Sequence, residues 1–306
     1  MITILAGGTG SVKIIRGLAA STSEDLYIIS NVGDNIWMHG LYICPDIDTV
    51  LYGLANQLDE QKGWGVKDDT FNFLDQMKLL GEDIWFKLGD KDLSTHLKRT
   101  EMLNNGRKLS EITEWMRQKY AISSKIIPAS DDHVETRIIT NLGDMHIQEF
   151  WVKHKAQPQV KDIIYKDNKR ARAHPLGIEA IRQSKLIIIA PANPVTSIGP
   201  IISLAGLRDE LISNKEKTVA ISPLVSNAAV SGPAVKYMHA KKIINSPLGV
   251  AKYYSEFISK FIISLVDEPL SHSIFDMGIK VHQTDILMAN RHEERRLGLY
   301  LINQFI

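Results

Sequence analysis

The chain contains a single cysteine, Cys44, in 306 residues. No intrachain disulfide can form, and a lone thiol without His or Cys at ligand spacing makes no metal site, so Cys44 reads as a small buried hydrophobe. Charge of either sign is also scarce in excess. With 36 Lys and Arg against 35 Asp and Glu, the formal net charge is +1 at pH 7, which offers no field for nucleic acid or an anionic membrane. No apolar run reaches the roughly 18 residues a spanning helix needs. No basic segment precedes the strand pattern at Ile2, so no leader is expected and a cytoplasmic location is. The ten histidines hold no HExxH pair and no zinc spacing. G-x-S-x-G is missing, which argues against a serine hydrolase of that type. G-x-G-x-x-G and G-x-x-x-x-G-K-[ST] are missing too, which argues against a dinucleotide-dependent oxidoreductase and a P-loop enzyme.

What is present is an ordinary globular composition, 44% hydrophobic and 23% charged, in a chain long enough to bury a large core. No linker divides it, so a single α/β domain is expected. Residues Ile2 to Ala6 read as a buried strand and Lys13 to Leu18 as helix, joined by a turn at Gly7–Ser11. Further strands read at Leu26 to Ser30, Lys185–Ala190, Thr218–Ser222 and Phe261–Leu265, each followed by polar loop residues. This alternation predicts a mostly parallel sheet with helices on both faces, whose ligands collect at the C-terminal strand ends. An insertion is expected at about 57–175. It opens with helices over Thr70–Leu80, Ser94–Asn104 and Leu109–Tyr120, and continues as an antiparallel hairpin, His133–Thr140 with Met145–Lys153, turning at NLGD. From about His292 the chain reads as a charged amphipathic helix.

The GGTGS turn is suited to an anion, because amides at a helix N-terminus are unsatisfied donors at the positive end of the helix dipole and glycines admit close approach. The next strand ends in SNVGDN, and a nearby segment reads PDIDT, with Pro45 early in a helix and Asp46 or Asp48 as its cap. Carboxylates beside a phosphate loop suit Mg2+, which takes one or two of them together with substrate phosphate oxygens; Asp48 is the first choice, while Asp34 reads equally as an acceptor for a ribose or a loop-stabilising residue. In KLGDKDLSTHLKRT, Asp92 or Ser94 reads as a helix cap and Lys98 and Arg99 as water-facing, while the KLGDKD turn can converge on an anion. APANPVTSIGPI offers Asn193, Thr196 and Ser197 ahead of a helix near Ile198, a second polar-ligand loop, and SPLVSNAAVSGPA repeats the logic more weakly. His39, His96 and His133 read as ordinary polar or packing residues. Trp64, Trp85 and Trp151 read as core or pocket walls that would suit a flat heterocycle.

Taken in order, LAGGTGSVK, SNVGDN, PDIDTVLYGLANQLD, WGVKDDTF, KLGDKDLSTHLKRT, PASDDHVETRI, IQEFWV, PANPVTSIGPI, SPLVSNAAVSGPA and GVAKYY resemble the 2-phospho-L-lactate transferase (CofD) family of coenzyme F420 biosynthesis, over almost the whole chain. The resemblance implies a Rossmann-like core, a homodimer, and a Mg2+-dependent transfer of phospholactate from lactyl-2-diphospho-5'-guanosine to the ribityl hydroxyl of the deazaflavin Fo, with GMP leaving. By motif position it implies that Asp48 and Lys87, rather than Lys91, contact the deazaflavin or the reacting centre. Gly7, Gly8, Thr9 and Gly10 would meet the nucleotide, and Asn193 and Ser197 of the second polar loop are further candidates for binding it. Asp48 then binds Mg2+, orients the hydroxyl or accepts its proton. Many members read GGTGG and GDD where this chain has Ser11 and Asn35; the serine amide still serves an anion, and Asn35 shifts metal binding toward Asp48. The rival expectation is a non-catalytic nucleotide-sugar-binding regulator of the gluconeogenesis-factor type, similar at the GGTG loop but without the PDIDT, KLGDKD and NPVTSIGP series.

Overall fold

The computed structural model of the chain describes every residue except 227 and 230–232. Strand β1 (Ile2–Ala6) runs into α1 (Gly8–Ala19), and β2 (Leu26–Ser30) follows. A short hairpin, β3 (Ile36–Met38) and β4 (Leu41–Ile43), leads into α2 (Pro45–Leu54). Helices α3 (Asn72–Leu79), α4 (Asp90–Asn104) and α5 (Leu109–Lys119) precede β5 (Lys125–Pro128). Strands β6 (Glu135–Thr140), β7 (Gly143–His146) and β8 (Val160–Lys166) form a separate antiparallel sheet, with a π-helical segment at Glu149–Lys153 between the last two. The chain continues through α6 (Pro175–Gln183), β9 (Leu186–Ile189), α7 (Ile198–Ile202), α8 (Leu207–Ser213) and β10 (Thr218–Ile221). A small ribbon, β11 (Leu224–Val225) and β12 (Ala228–Ala229), leads to α9 (Ala234–Ala240) and α10 (Pro247–Tyr254). Strand β13 (Lys260–Ile263), α11 (Ser271–Phe275), β14 (Lys280–Gln283) and α12 (Arg291–Phe305) complete it.

The main sheet has seven strands in the order β14-β13-β10-β9-β1-β2-β5, all parallel. Its central strands β1, β9 and β10 are buried along their whole length, as predominantly apolar runs in a doubly covered parallel sheet are. From β1 the chain builds outward through β2 to β5 on one side, then returns to build β9, β10, β13 and β14 on the other. The order therefore reverses between β1 and β9, and in open α/β sheets the crevice at such a reversal receives the ligand.

Helix α1 is held from behind by α12. Gly17 and Gly298 let the two backbones touch, since a methyl on Gly298 would overlap the Gly17 carbonyl, and Arg16 pairs with Glu294 in the buried seam.

Several sequence expectations change. The stretch 57–175 is interrupted by β5, which pairs with β2 in the main sheet. Met145–Lys153 is strand only as far as His146 and then becomes the π-helical segment, and the third strand of that sheet is β8. Helix α1 starts at Gly8, earlier than the apolar pattern from Lys13 suggests. Neither Asp46 nor Asp48 caps α2: Cys44 occupies the cap position, and Pro45 opens the helix, so both aspartates fall in its first turn. Helix α4 is preceded by Gly89, so Asp92 and Ser94 lie inside it.

Candidate active site

The loops that follow β1 and β9 meet at the reversal point. A methyl on Gly7 would stand 2.6 Å from Ser197 Cβ and 3.0 Å from Asp46 Oδ2, so glycine is what lets the GGTGS turn, the NPVTS loop and α2 converge. Gly8 takes φ +69°, a left-handed conformation that favours glycine. Ser11 Oγ accepts from the Gly7 amide at 2.9 Å and donates to the Gly7 carbonyl at 3.0 Å, closing the turn on itself. Ser11 thus gives the turn a hydroxyl lock. Thr9 Oγ1 ties the turn to Gly63 O at 2.7 Å. Across the crevice, Asn193 Oδ1 accepts from the amides of Val195 and Thr196 at 3.0 and 3.2 Å, which shapes the second loop. Gly7, Gly8, Thr9, Gly10, Asn193, Thr196 and Ser197 all line a cavity of about 910 Å³.

A carboxylate pair stands beside these loops. Fully buried Asn31 donates through Nδ2 to Asp34 Oδ1 at 3.0 Å and to Asp46 Oδ2 at 2.9 Å, and its Oδ1 accepts from the Gly33 amide. Burial, and then the Asp46 charge, hold the Asp34 carboxyl well above the usual carboxylate range. Burial pushes Asp46 up to about 6, despite hydrogen bonds from Asn31 and the Gly8 amide. Sequence reasoning does not single out Asn31; its only signal is a polar residue directly after an apolar strand. Asn35 donates to Tyr42 Oη at 3.2 Å, and its carbonyl lies 3.1 Å from His146 Nε2. Because His146 Nδ1 accepts from the Gln148 amide, Nε2 carries the proton, and burial pushes this histidine down to about 4.

Asp48 faces the cavity but is gripped from the far side. Arg99 Nη1 donates to its Oδ2 at 3.0 Å and Nη2 to its Oδ1. Arg99 is completely buried, contrary to the expectation that it faces water. His96, one turn earlier on α4, accepts from Arg99 Nη1 at 3.2 Å through Nδ1, and its Nε2 lies 3.1 Å from Asp92 Oδ1. Tyr52 Oη donates to the same Asp92 oxygen at 2.7 Å. His96 and Asp92 line the cavity, His96 as a buried polar residue bound to Arg99.

The cavity also has aromatic lining. Trp64 follows Gly63, which Thr9 ties to the glycine turn, and Trp85, Phe86 and Trp151 line it as well, with Lys87 and Leu88 just before α4. Lys87 is exposed at the mouth. Lys91 points elsewhere, donating to the carbonyls of Lys67 and Asp68 at 3.2 and 2.7 Å. His39 and His133 do not line the cavity. SPLVSNAAVSGPA lies partly outside the described residues, at 227 and 230–232. Among the described residues, no helix is long and apolar enough to cross a membrane.

Comparison with known proteins matches this architecture. The family model described as 2-phospho-L-lactate transferase CofD matches residues 2–299. A 2-phospho-L-lactate transferase from Methanocaldococcus jannaschii is 39% identical over 99% of this chain and 97% of its own length. One from Methanosarcina mazei is 38% identical over 99% of each. A crystal structure of a member of the UPF0052 family from Bacillus halodurans superposes with a TM-score of 0.66 at 17% identity, covering 98% of this chain and 99% of that one, a likeness of fold. With the family model spanning nearly every residue that builds the sheet and the cavity, the chain belongs to the 2-phospho-L-lactate transferase CofD family.

Proposed function

We propose that this protein transfers phospholactate from lactyl-2-diphospho-5'-guanosine to the terminal ribityl hydroxyl of the deazaflavin Fo in coenzyme F420 biosynthesis. The observation that carries the reading is one cavity whose lining holds a glycine-and-amide turn at the β1/β9 reversal, the aromatic residues Trp64, Trp85, Phe86 and Trp151, Lys87 and the carboxylate of Asp48. The turn suits a diphosphate and the aromatic residues a flat heterocycle. The ribityl oxygen attacks the phosphorus that carries lactate, forming one P–O bond as the P–O bond to GMP breaks; the hydroxyl proton leaves to solvent. In such transfers the protein chiefly positions the partners and meets developing charge.

Mg2+ belongs to this reading, and the donor set suits it. Asp34 and Asp46 share one amide donor, are both pushed toward protonation, and among the described residues pair with no basic side chain. A hard cation relieves that arrangement. Among the described residues no cluster of three or more His, Cys, Asp or Glu could hold a metal, so a cation held by Asp34 and Asp46 draws its remaining oxygens from phosphate and water, where it would supply charge against the diphosphate. With both oxygens of Asp48 engaged by Arg99, Asp48 serves this reading as an acceptor for the attacking hydroxyl, and Lys87 holds charge or a polar edge of the deazaflavin. Purified protein mixed with Fo, donor and Mg2+ should yield GMP and a phospholactylated deazaflavin by chromatography and mass spectrometry. A regulator of the gluconeogenesis-factor type would bind nucleotide sugar and yield neither product.

A further inference from the structure

We propose that Arg99 is a positioning residue. Its buried guanidinium fork fixes the Asp48 carboxylate in one orientation, making Asp48 a stationary acceptor for the attacking hydroxyl. The inference rests on the transfer reading above and adds a residue to it.

Arg99 lies behind the cavity wall on α4, and Asp48 lies in the wall on α2. A free aspartate rotates about χ1 and χ2, whereas a carboxylate bound at both oxygens by a planar fork has one orientation. The fork is itself held. Its Nη1 also donates to the Tyr42 carbonyl at 3.3 Å and to His96 Nδ1 at 3.2 Å, and Nη2 reaches Met116 Sδ at 3.8 Å. An accepting Nδ1 leaves the ring proton of His96 on Nε2, facing Asp92, which Tyr52 also holds. Asp92 thus lies beside the His96 ring, His96 accepts from Arg99, and Arg99 sets Asp48. Nothing in a helix-to-helix tether requires this chain to end at a cavity-facing carboxylate. A nucleophile misplaced by about 1 Å can cost on the order of 100-fold in rate.

The test is Arg99→Lys in the full chain, assayed with GDP, Fo, donor and Mg2+. Lysine keeps a buried cation but offers a point donor in place of the fork. The variant should bind GDP within about twofold of wild type by calorimetry and lose on the order of 100-fold in kcat, with a raised KM for Fo. A residue that merely ties α2 to α4 would lower the melting temperature and leave kcat and the Fo KM per folded molecule unchanged. That result overturns the proposal. If Arg99→Lys does not fold, Arg99→Gln, uncharged and able to give one hydrogen bond, is judged by the same criterion. If wild type turns over no Fo with any donor, the transfer reading falls instead. Arg99 is then judged on the carbon-13 resonance of the Asp48 carboxyl, which should move or broaden in Arg99→Lys and overturns the proposal if it does not.

Discussion

Asp46 and Asp48 stand two residues apart in the first turn of α2, yet replacing each with asparagine should move stability in opposite directions. Asp48 is 4% exposed and its partner Arg99 is 0% exposed. Removing one member of a buried pair strands the other charge, at a cost of about 3–5 kcal/mol. Asp48→Asn should therefore melt well below wild type, and the loss consumes much of the roughly 5–15 kcal/mol typical of a folded domain. Asp46 has no cationic partner among the described residues and is held at about 6, against an ordinary aspartate value of 3.8. A shift of this size corresponds to about 3 kcal/mol of destabilisation when the group is ionised in both states. The Asp46→Asn substitution removes that charge and should stabilise the metal-free protein by up to about 3 kcal/mol, less whatever the new amide loses facing Asn31. The sign follows from the raised folded-state value. Below about pH 4 the carboxyl is protonated folded and unfolded, so Asp46→Asn gains nothing; the gain grows between about pH 4 and 6 and is complete above about 6. The assay is urea unfolding of both variants and wild type in EDTA at about pH 4 and pH 7, with turnover of Fo measured separately. Both variants should lose turnover. If Asp46→Asn is destabilised at neutral pH, or stabilised equally in acid, the buried uncompensated carboxylate is not the cause. An Asp48→Asn protein as stable as wild type removes the structural weight placed on Arg99.

Gly8→Val should weaken GDP binding by at least about tenfold in calorimetry with little change for Fo, because a β-branched residue is strained at φ +69° and its Cβ stands 3.4 Å from Asp46 Oδ1 in the anion cradle; unchanged GDP affinity in a folded variant counts against the cradle. Lys87→Ala should lower kcat by about 100-fold while Lys91→Ala, whose side chain is bound to backbone carbonyls of Lys67 and Asp68, stays within about threefold, as surface changes usually do; the reverse ranking puts the wrong lysine in the site. Gly298→Ala should cost about 1–3 kcal/mol in urea unfolding, since an added methyl overlaps the Gly17 backbone across the α1–α12 seam. A variant as stable as wild type would show that the helices part at no cost.

The strands that sequence reading finds are those buried on both faces. Ile2–Ala6, apolar but for the β-branched Thr3, and Leu186–Ile189, apolar throughout, lie between polar turns, and little else can be done with such runs in water. The edge strands escape it. Lys125–Pro128 and Lys280–Gln283 are short and begin with lysine, and only their pairing with β2 and β13 identifies them. Met145–Lys153 misleads for a related reason: its alternation suits a strand, but the chain has a partner only through His146, and with the ladder gone the backbone satisfies its own groups in a π-helical turn.

For the candidate site, the residue types and their order along the chain are legible. A glycine turn between strand and helix, a polar loop after the next strand, PDIDT and a second loop after β9 are local patterns, and their physical reasons are local: dipole, amide donors and close backbone approach. What those patterns do not contain is partnership. Asp48 and Arg99 lie 51 residues apart, and Asn31 and Asp46 15 apart; which aspartate is paired and which is left beside another carboxylate depends on how α4 packs on α2 and where β2 ends. Strand ends and helix starts are written in short-range apolar patterning, so the list of groups available to the site follows from the chain alone. The charge environment of each group does not, because burial and ion pairing are properties of packed neighbours and not of spacing along the chain.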